Sequence, residues 1–417
     1  MNNDINALNE AIKEKGHTWV AEENHMTKMS SEERIKMLGA IIPDNLNENT
    51  SSTQETIDTT ALPSSIDWRN NNGNFVTRVK DQGQCGSCVG FGCTATFESM
   101  LAIEKVHYLQ SLSVADSFFC SSHGTNCLGW WTDSYFKANK SRGVVADVLF
   151  PYSEAFSNGA PICITIPNRA QHAYKYGQIN STTTIAAAKA YLNNTGPIAA
   201  CFMVYEDFYG YKSGIYKHTT GKHDANHCIC IVGYNDNNGD GYWICKNSWG
   251  KRWGDQGYFY IAYNQCNIDV WAKYGVSDTK DAPSQPLFRL YNGTDHFYTT
   301  SETEKVSAEA GGYKSEGISS YVYENQISNS FPFYRLYNGI DHLYTTSAAE
   351  KKSAEAGGYN SEGIACYVFE TQINDSVPFY RLYNGVDHLY TTSEAEKKSA
   401  EADGYNSEGI ACYVLEA

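Results

Sequence analysis

One six-residue phrase returns three times at a fixed interval. Phe288-Arg289-Leu290-Tyr291-Asn292-Gly293 recurs as Tyr334 to Gly339 and as Tyr380 to Gly385, about 46 residues apart each time. A unit repeated at that period cannot bury its apolar face alone, so the copies must pack on one another. Each copy continues with an Asp-His pair (Asp295-His296, Asp341-His342, Asp387-His388) and then Tyr-Thr-Thr-Ser. The Ala, Glu and Lys content of Ala348 to Ala356, with Ser347 before it, predicts a short capped helix. Gly357-Gly358 ends that helix, and Gly363 to Phe369 reads as a closing strand. Asn-Gly after Phe/Tyr-Arg-Leu-Tyr is a hairpin signal, because both residues tolerate positive φ. Each unit is therefore expected to run strand, turn, strand, helix, strand. Three of them predict a pseudo-threefold β-rich domain over residues 281–417.

The remaining chain divides in two. Asp44 through Leu62 is rich in Asn, Ser, Thr, Gln and Glu, a composition that buries little surface and reads as a linker. Before it, Ile5, Leu8 and Ile12 mark one helical face, and Ser30 and Glu33 have capping-box spacing. That second helix is expected to run through Ile35, Met37 and Leu38 to a stop at Gly39, with Ala40 to Pro43 extended. Residues 1–43 hold too little apolar material to fold alone, which predicts docking on the next domain. A second boundary falls at Ser277 to Pro286, polar and proline-punctuated. The reading is thus 1–62, 63–280 and 281–417.

Charge follows the same division. The chain carries −15 overall, spread as −6, +2 and −11 over the three segments. Nucleic acid and anionic membranes select basic faces, so neither is expected as the main partner. No apolar run approaches the roughly 20 residues of a membrane helix, and Met1 to Glu14 lacks the apolar core of a secretory signal. Eleven of the 13 cysteines lie between Cys85 and Cys266, which places thiol chemistry or disulfides in the middle segment.

There, Gln82-Gly83-Gln84-Cys85-Gly86-Ser87-Cys88 leads into a helix-forming stretch that begins at Cys88. A thiol at a helix N-terminus gains thiolate character from the exposed N–H groups. It needs an imidazole to act as a nucleophile and to pass a proton to a leaving amine. His227 sits in Asn226 to Tyr234, a run that reads as a buried strand, and a second such strand ends at Asn247. An amide there can accept the second imidazole N–H and fix the tautomer.

These residues resemble the papain family of cysteine peptidases, whose local mark is Cys-Gly-Ser/Ala-Cys-Trp/Tyr with His and Asn downstream. The resemblance covers about residues 63–276. It includes Leu62 to Arg69, Leu112-Ser113 leading to Cys120, Asn247-Ser248-Trp249-Gly250 and Trp253 to Phe259, and it departs at Val89. It implies an α+β fold: a papain-like two-lobe domain, one helical lobe carrying Cys88 and one β-barrel lobe carrying His227 and Asn247, followed by the β-rich repeat domain. Cys88 would be the nucleophile, His227 the base and Asn247 its orienting amide. Gln82 and the Cys88 N–H would hold the oxyanion, with Trp249 shielding the His227–Asn247 bond. Bridges Cys85–Cys127 and Cys120–Cys163 are implied. The third is left open, because Cys266 meets no cysteine between Tyr205 and His227. Gly129, Trp130, Trp131, Cys201, Asn226 and Trp249 are the implied substrate-binding residues, with backbone pairing at Trp130 and Cys201 on the S2 wall.

The function implied is the zymogen of a secreted endopeptidase acting on proteins or peptides without a cofactor. It would be a monomer in an extracellular or lysosome-like compartment, with residues 1–62 as a pro-segment laid through its cleft, opposite in direction to substrate. An exopeptidase of the same family and a non-catalytic binding protein on this scaffold share most of these residues. Cys93, Cys228, Cys230 and Cys245 read as buried structural thiols, and His172, His218 and His223 as surface histidines. His223, His227, Cys228 and Cys230 match no standard zinc spacing. In the tail, the Asp-His pairs read as closing the hairpin and capping the helix, against three equivalent sugar or cation sites. Tyr291, Tyr337 and Tyr383 read as core. The repeats resemble a tail module of secreted microbial proteins, a candidate cell-surface or glycan-binding module.

Overall fold

The structure, a computed structural model, describes residues 5–43, 62–105, 109–166, 169–171, 173–236, 239, 241–280, 284–324, 326–327, 329–373 and 376–416. The linker residues 44–61, His172 and residues 281–283 of the second boundary lie outside the described residues. The chain forms two compact units, Met1–Ala282 and Pro283–Ala417.

In the first unit, helix α1 (Ile5–Glu14) buries Leu8 and Ile12. Trp19 follows, buried against the rings of Tyr211 and Tyr216, and Val20–Ala21 pairs antiparallel with Tyr211–Ser213. The capping box of Ser30 and Glu33 opens α2 (Ser31–Ile35) as the spacing predicts. The helix does not reach Leu38. It stops at Ile35, where the N–H groups of Met37 and Leu38 turn to the i−3 carbonyls of Arg34 and Ile35, and the Met37 carbonyl beyond it accepts from Gln82 Nε2 at 2.8 Å. Arg34 is buried with its guanidinium 4.6 Å from the centre of the Tyr209 ring. The N-terminal segment is thus docked, as its sparse apolar content requires.

Helix α3 (Cys88–Glu104) is the centre of the domain, and every residue from Cys88 to Ala102 is buried. A helix apolar on all sides belongs inside, and this one lies between the smaller helices and the sheet. Gly92 makes the close approach: a Cβ there would lie 3.0 Å from the Ile229 carbonyl oxygen. Helices α4 (Val114–Phe119) and α5 (Thr132–Arg142) complete the helical lobe. The other lobe is a nine-stranded sheet. Its central order is Lys273–Lys280, Ile198–Tyr205, His223–Asn235, Tyr242–Lys246 and Tyr258–Ala262, and α6 (Ile185–Asn194) packs on it. Disulfides join Cys85 to Cys127 and Cys120 to Cys163.

The second unit holds three copies of strand, strand, helix, strand. The first copy is Gln285–Tyr291, His296–Thr299, α7 (Glu302–Ala310) and Lys314–Val322; α8 (Ala348–Ala356) and α9 (Glu394–Ala402) are the equivalent helices. Three details differ from the sequence reading. The hairpin loop spans four residues between the pair Tyr291 and His296, and only Gly293 has positive φ. Asn292 instead accepts the N–H groups of Thr294 and Asp295. Ser301, Ser347 and Ser393 cap the helices, as predicted for Ser347, and the Asp-His pairs do not. Each aspartate reaches a neighbouring copy: His342 donates from its backbone N–H and from Nδ1 to Asp295, His388 to Asp341, and His296 to Asp387. Ion pairs Arg335–Glu304, Arg381–Glu350 and Arg289–Glu396 run the same way round.

The core tyrosines are Tyr298, Tyr344 and Tyr390, each donating its hydroxyl to the next one's carbonyl at 2.7 Å. Tyr291, Tyr337 and Tyr383 are half-buried and stack on the histidine of their own copy at 4.2 Å. Tyr291 sits on the rim because Leu290, the residue before it, points inside, and the register shifts at Leu287/Phe288 and Arg289/Leu290 let Leu287 fill the inside too.

Candidate active site

Cys88 is the first residue of α3, where the backbone N–H groups lack helical partners. Its sulfur accepts the Gly39 N–H at 3.3 Å, and the N–H groups of Cys228 and Val89 also reach it. On the sheet lobe, His227 Nε2 is 2.8 Å from Asn247 Oδ1. That bond takes one ring nitrogen and leaves Nδ1 without a hydrogen-bond partner among the described residues. Trp249 lies over the pair, its ring 4.8 Å from the imidazole, and is itself fully buried. The amide of Asn247 thus fixes the ring orientation, and the indole keeps water from the bond.

Gln82 is held from both sides. Its Nε2 donates to the carbonyls of Met37 and Cys85 at 2.8 Å, and its Oε1 accepts from Ser248 Oγ at 2.7 Å. Its own N–H donates to the Ser248 carbonyl at 2.9 Å. Ser248, which the sequence reading passed over as part of a block, is therefore the residue that aims the Gln82 amide.

Residues 37–41 lie along this site, leaving a turn at Met37 and forming an isolated bridge at Ala40. Trp130 N–H donates to the Gly39 carbonyl and Ile41 N–H to the Trp130 carbonyl, both at 2.8 Å, giving a parallel bridge between Ala40 and Trp130. Ala40 N–H donates to the Asn226 carbonyl at 3.2 Å. The fit is set by glycines: a Cβ on Gly39 would lie 1.9 Å from the Gly86 oxygen, and one on Gly129 would lie 2.5 Å from the Gly39 oxygen. The Trp130 ring turns away, into contact with Phe118, His123 and Tyr135, so its bulk leaves the segment's path open.

Gly129, Trp130 and Asn226 therefore meet the N-terminal segment. Trp131 packs edge-on to Tyr274 instead, and Cys201 meets Cys228 and Thr132. Cys93, Cys228, Cys230 and Cys245 are buried free thiols, and Cys266 is free beside Tyr216. His223 is exposed, while His218 is half-buried, stacked on Tyr205 and bonded to Asp207.

Burial under the segment governs protonation. Desolvation pushes the Cys88 thiol up to about 12 and His227 down to about 4, the Asn247 bond opposing the latter. Both groups are thereby kept neutral. Asp295, Asp341 and Asp387 form the one set of converging metal-type donors among the described residues. Each already accepts a backbone N–H, an imidazole N–H and a tyrosine hydroxyl.

This two-lobe fold with a segment laid over a buried thiol defines a pro-form of a thiol peptidase. Residues 62–276 match the family described as Papain family cysteine protease. Ananain from Ananas comosus is 32% identical over 292 residues, covering 69% of this chain and 80% of that protein. The chain belongs to the papain family of cysteine proteases. Among solved structures, a recombinant stem bromelain precursor aligns with TM-score 0.55 and 28% identity, over 66% of this chain and 88% of its own. ProCathepsin B S9 from Trypanosoma congolense shares the fold at TM-score 0.57 and 23% identity, over 66% and 98%. Residues 233–369 and 339–415, which take in the end of the peptidase unit as well as the tail, match a domain of unknown function (DUF5648).

Proposed function

We propose that the protein is the zymogen of a secreted endopeptidase in which Cys88 is the nucleophile, His227 its base and acid, and Asn247 the group that orients His227. The observation that carries this reading is the Gly39 N–H resting on the Cys88 sulfur while Met37 occupies the Gln82 amide. The segment thereby covers the attacking atom and an oxyanion donor together. Once it leaves, water and substrate reach the thiol, and His227 Nδ1 takes its proton. The thiolate adds to the scissile carbonyl, the Gln82 Nε2–H and the Cys88 N–H stabilise the oxyanion, and His227 returns the proton to the leaving amine. Water then releases the acyl group through the same histidine.

Endopeptidase action is supported by the path of the segment. From Met37 to Ile41 it passes over Cys88 and continues on both sides, so the cleft accommodates a chain that extends past the nucleophile in both directions. Processed protein is expected to cut an internally quenched peptide and to spare an aminopeptidase substrate; the reverse preference would make it an exopeptidase. Residues 281–417 are read as a cell-surface or glycan-binding module, tested by retention of the full-length Cys88→Ala protein on cell-wall glycan against the same protein truncated after residue 280.

A further inference from the structure

Cys201 and Cys228 stand directly opposite one another on neighbouring antiparallel strands, within a register that runs unbroken from Asn226 opposite Met203 to Ile231 opposite Ile198. Opposed residues leave a sheet on the same face with Cα atoms roughly 4.5–5.5 Å apart, inside the span of about 4.4–6.8 Å that a disulfide bridges. The two thiols are near enough to perturb one another, and Cys228 and Cys93 likewise. Both sulfurs are fully buried, and neither has a part in the proposed chemistry. The same domain already holds two disulfides, so it belongs where thiols are oxidised.

We propose that Cys201 and Cys228 are a redox pair that closes a third disulfide beside His227. The oxidant is a low-molecular-weight disulfide, RSSR. One cysteine thiolate attacks RSSR, breaking its S–S bond and releasing RS⁻, to form a mixed disulfide. The second cysteine thiolate attacks the protein sulfur of that bond and releases the other RS⁻, and the two RS⁻ take up the two thiol protons. Two cysteine thiols lose two electrons and two protons, and RSSR becomes two RSH. Because the sulfurs are buried, exchange takes place as the chain folds, before α3 covers the sheet. The bridge ties the strand carrying His227 to its neighbour one residue from the imidazole. The Cys228 N–H that reaches the Cys88 sulfur lies on the same tether. It leaves Cys93 and Cys266 as thiols, which neither cross-strand register nor contact pairs with each other.

The experiment counts thiols. The full-length chain is folded with oxidised and reduced glutathione, then unfolded in guanidinium with iodoacetamide and no reductant, and its mass and peptides are read. With nine free cysteines in the two-disulfide form, the proposal expects seven labels and one cross-linked peptide pair joining Cys201 to Cys228. Cys201→Ser and Cys228→Ser should each give eight labels and lose that pair. Nine labels in the wild type overturn the proposal. So does a third bridge that uses Cys88, Cys93 or Cys266, or a variant that still shows three bridges.

Discussion

The backbone N–H of Gly39 lies 3.3 Å from the sulfur of Cys88, and a Cβ on Gly39 would fall 1.9 Å from the Gly86 carbonyl oxygen. The contact therefore admits glycine alone, since the clash is with backbone rather than with a side chain that could swing aside. Gly39→Val should expel residues 37–41 from the cleft. A peptide of residues 1–43 added to processed protein is expected to inhibit it, and the Gly39→Val peptide at least tenfold more weakly. Equal inhibition constants would show that the segment acts elsewhere.

Occlusion also predicts how stability varies with pH. His227 is depressed from 6.5 to about 4, so its contribution is complete above pH 6.5 and is lost as pH falls toward 4. Cys88 is raised from 9.0 to about 12, so its contribution is complete below pH 9 and is lost as pH rises toward 12. The intact zymogen should be most stable between about pH 6.5 and 9. Each limb has a limiting slope of about 1.4 kcal/mol per pH unit. Thermal unfolding of the unprocessed Cys88→Ser protein should keep the acid limb and show a shallower alkaline one, because the buried thiols Cys93, Cys201, Cys228, Cys230 and Cys245 are raised as well and remain. An alkaline limb as steep as that of the Cys88 protein would assign the whole alkaline loss to those other groups.

Gln82 has two roles that one substitution separates from simple unfolding. If Gln82 holds the oxyanion as proposed, Gln82→Ala removes a donor to it, and kcat of the processed enzyme should fall about a hundredfold or more, roughly 3 kcal/mol, with KM little changed. The same change frees the Met37 carbonyl, and should weaken inhibition by the peptide of residues 1–43. Steady-state kinetics and inhibition titration on one preparation read both effects.

Much of this site was legible in the sequence because the chemistry admits few substitutes. Cys88 at a helix start, His227 on a strand and Asn247 at a strand end are residue types that nucleophilic catalysis requires, and Gln82 came with the family's pattern. The position of Gly39 was read only as a helix stop, since nothing local tells a glycine that ends a helix from one that must pass a sulfur. Ser248 was missed for a related reason: its partner, Gln82, is 166 residues away. In the tail, the order strand, turn, strand, helix, strand follows from propensity and pattern. The Asp-His pairing could not be read, because identical copies make a bond within a unit and a bond between units indistinguishable in sequence. The four-residue loop escaped because the Asn292 side chain, rather than a left-handed Asn, makes the turn.

The ring of contacts between copies gives a stability prediction. Asp341 accepts His388 through its N–H and Nδ1, and the Tyr359 hydroxyl as well. Asp341→Asn keeps the shape and removes the charge that pairs with His388. In the full-length Cys88→Ala protein, the calorimetric transition of the tail should lose about 3 kcal/mol, while that of the peptidase unit stays in place. An unchanged tail transition would mean the ring does not close in solution.

The central claim is that Cys88 is a nucleophile sealed by residues 37–41 and freed by their removal, and a thiol-reactive epoxide tests it most directly. Peptide mass mapping after treatment should find Cys88 unlabelled in the intact zymogen and alkylated in protein lacking residues 1–62. Labelling should run at least a hundredfold faster than at any other free cysteine, and should be abolished in His227→Ala. Labelling of the intact zymogen at the processed rate, or a processed protein whose Cys88 stays unmodified, would contradict the account.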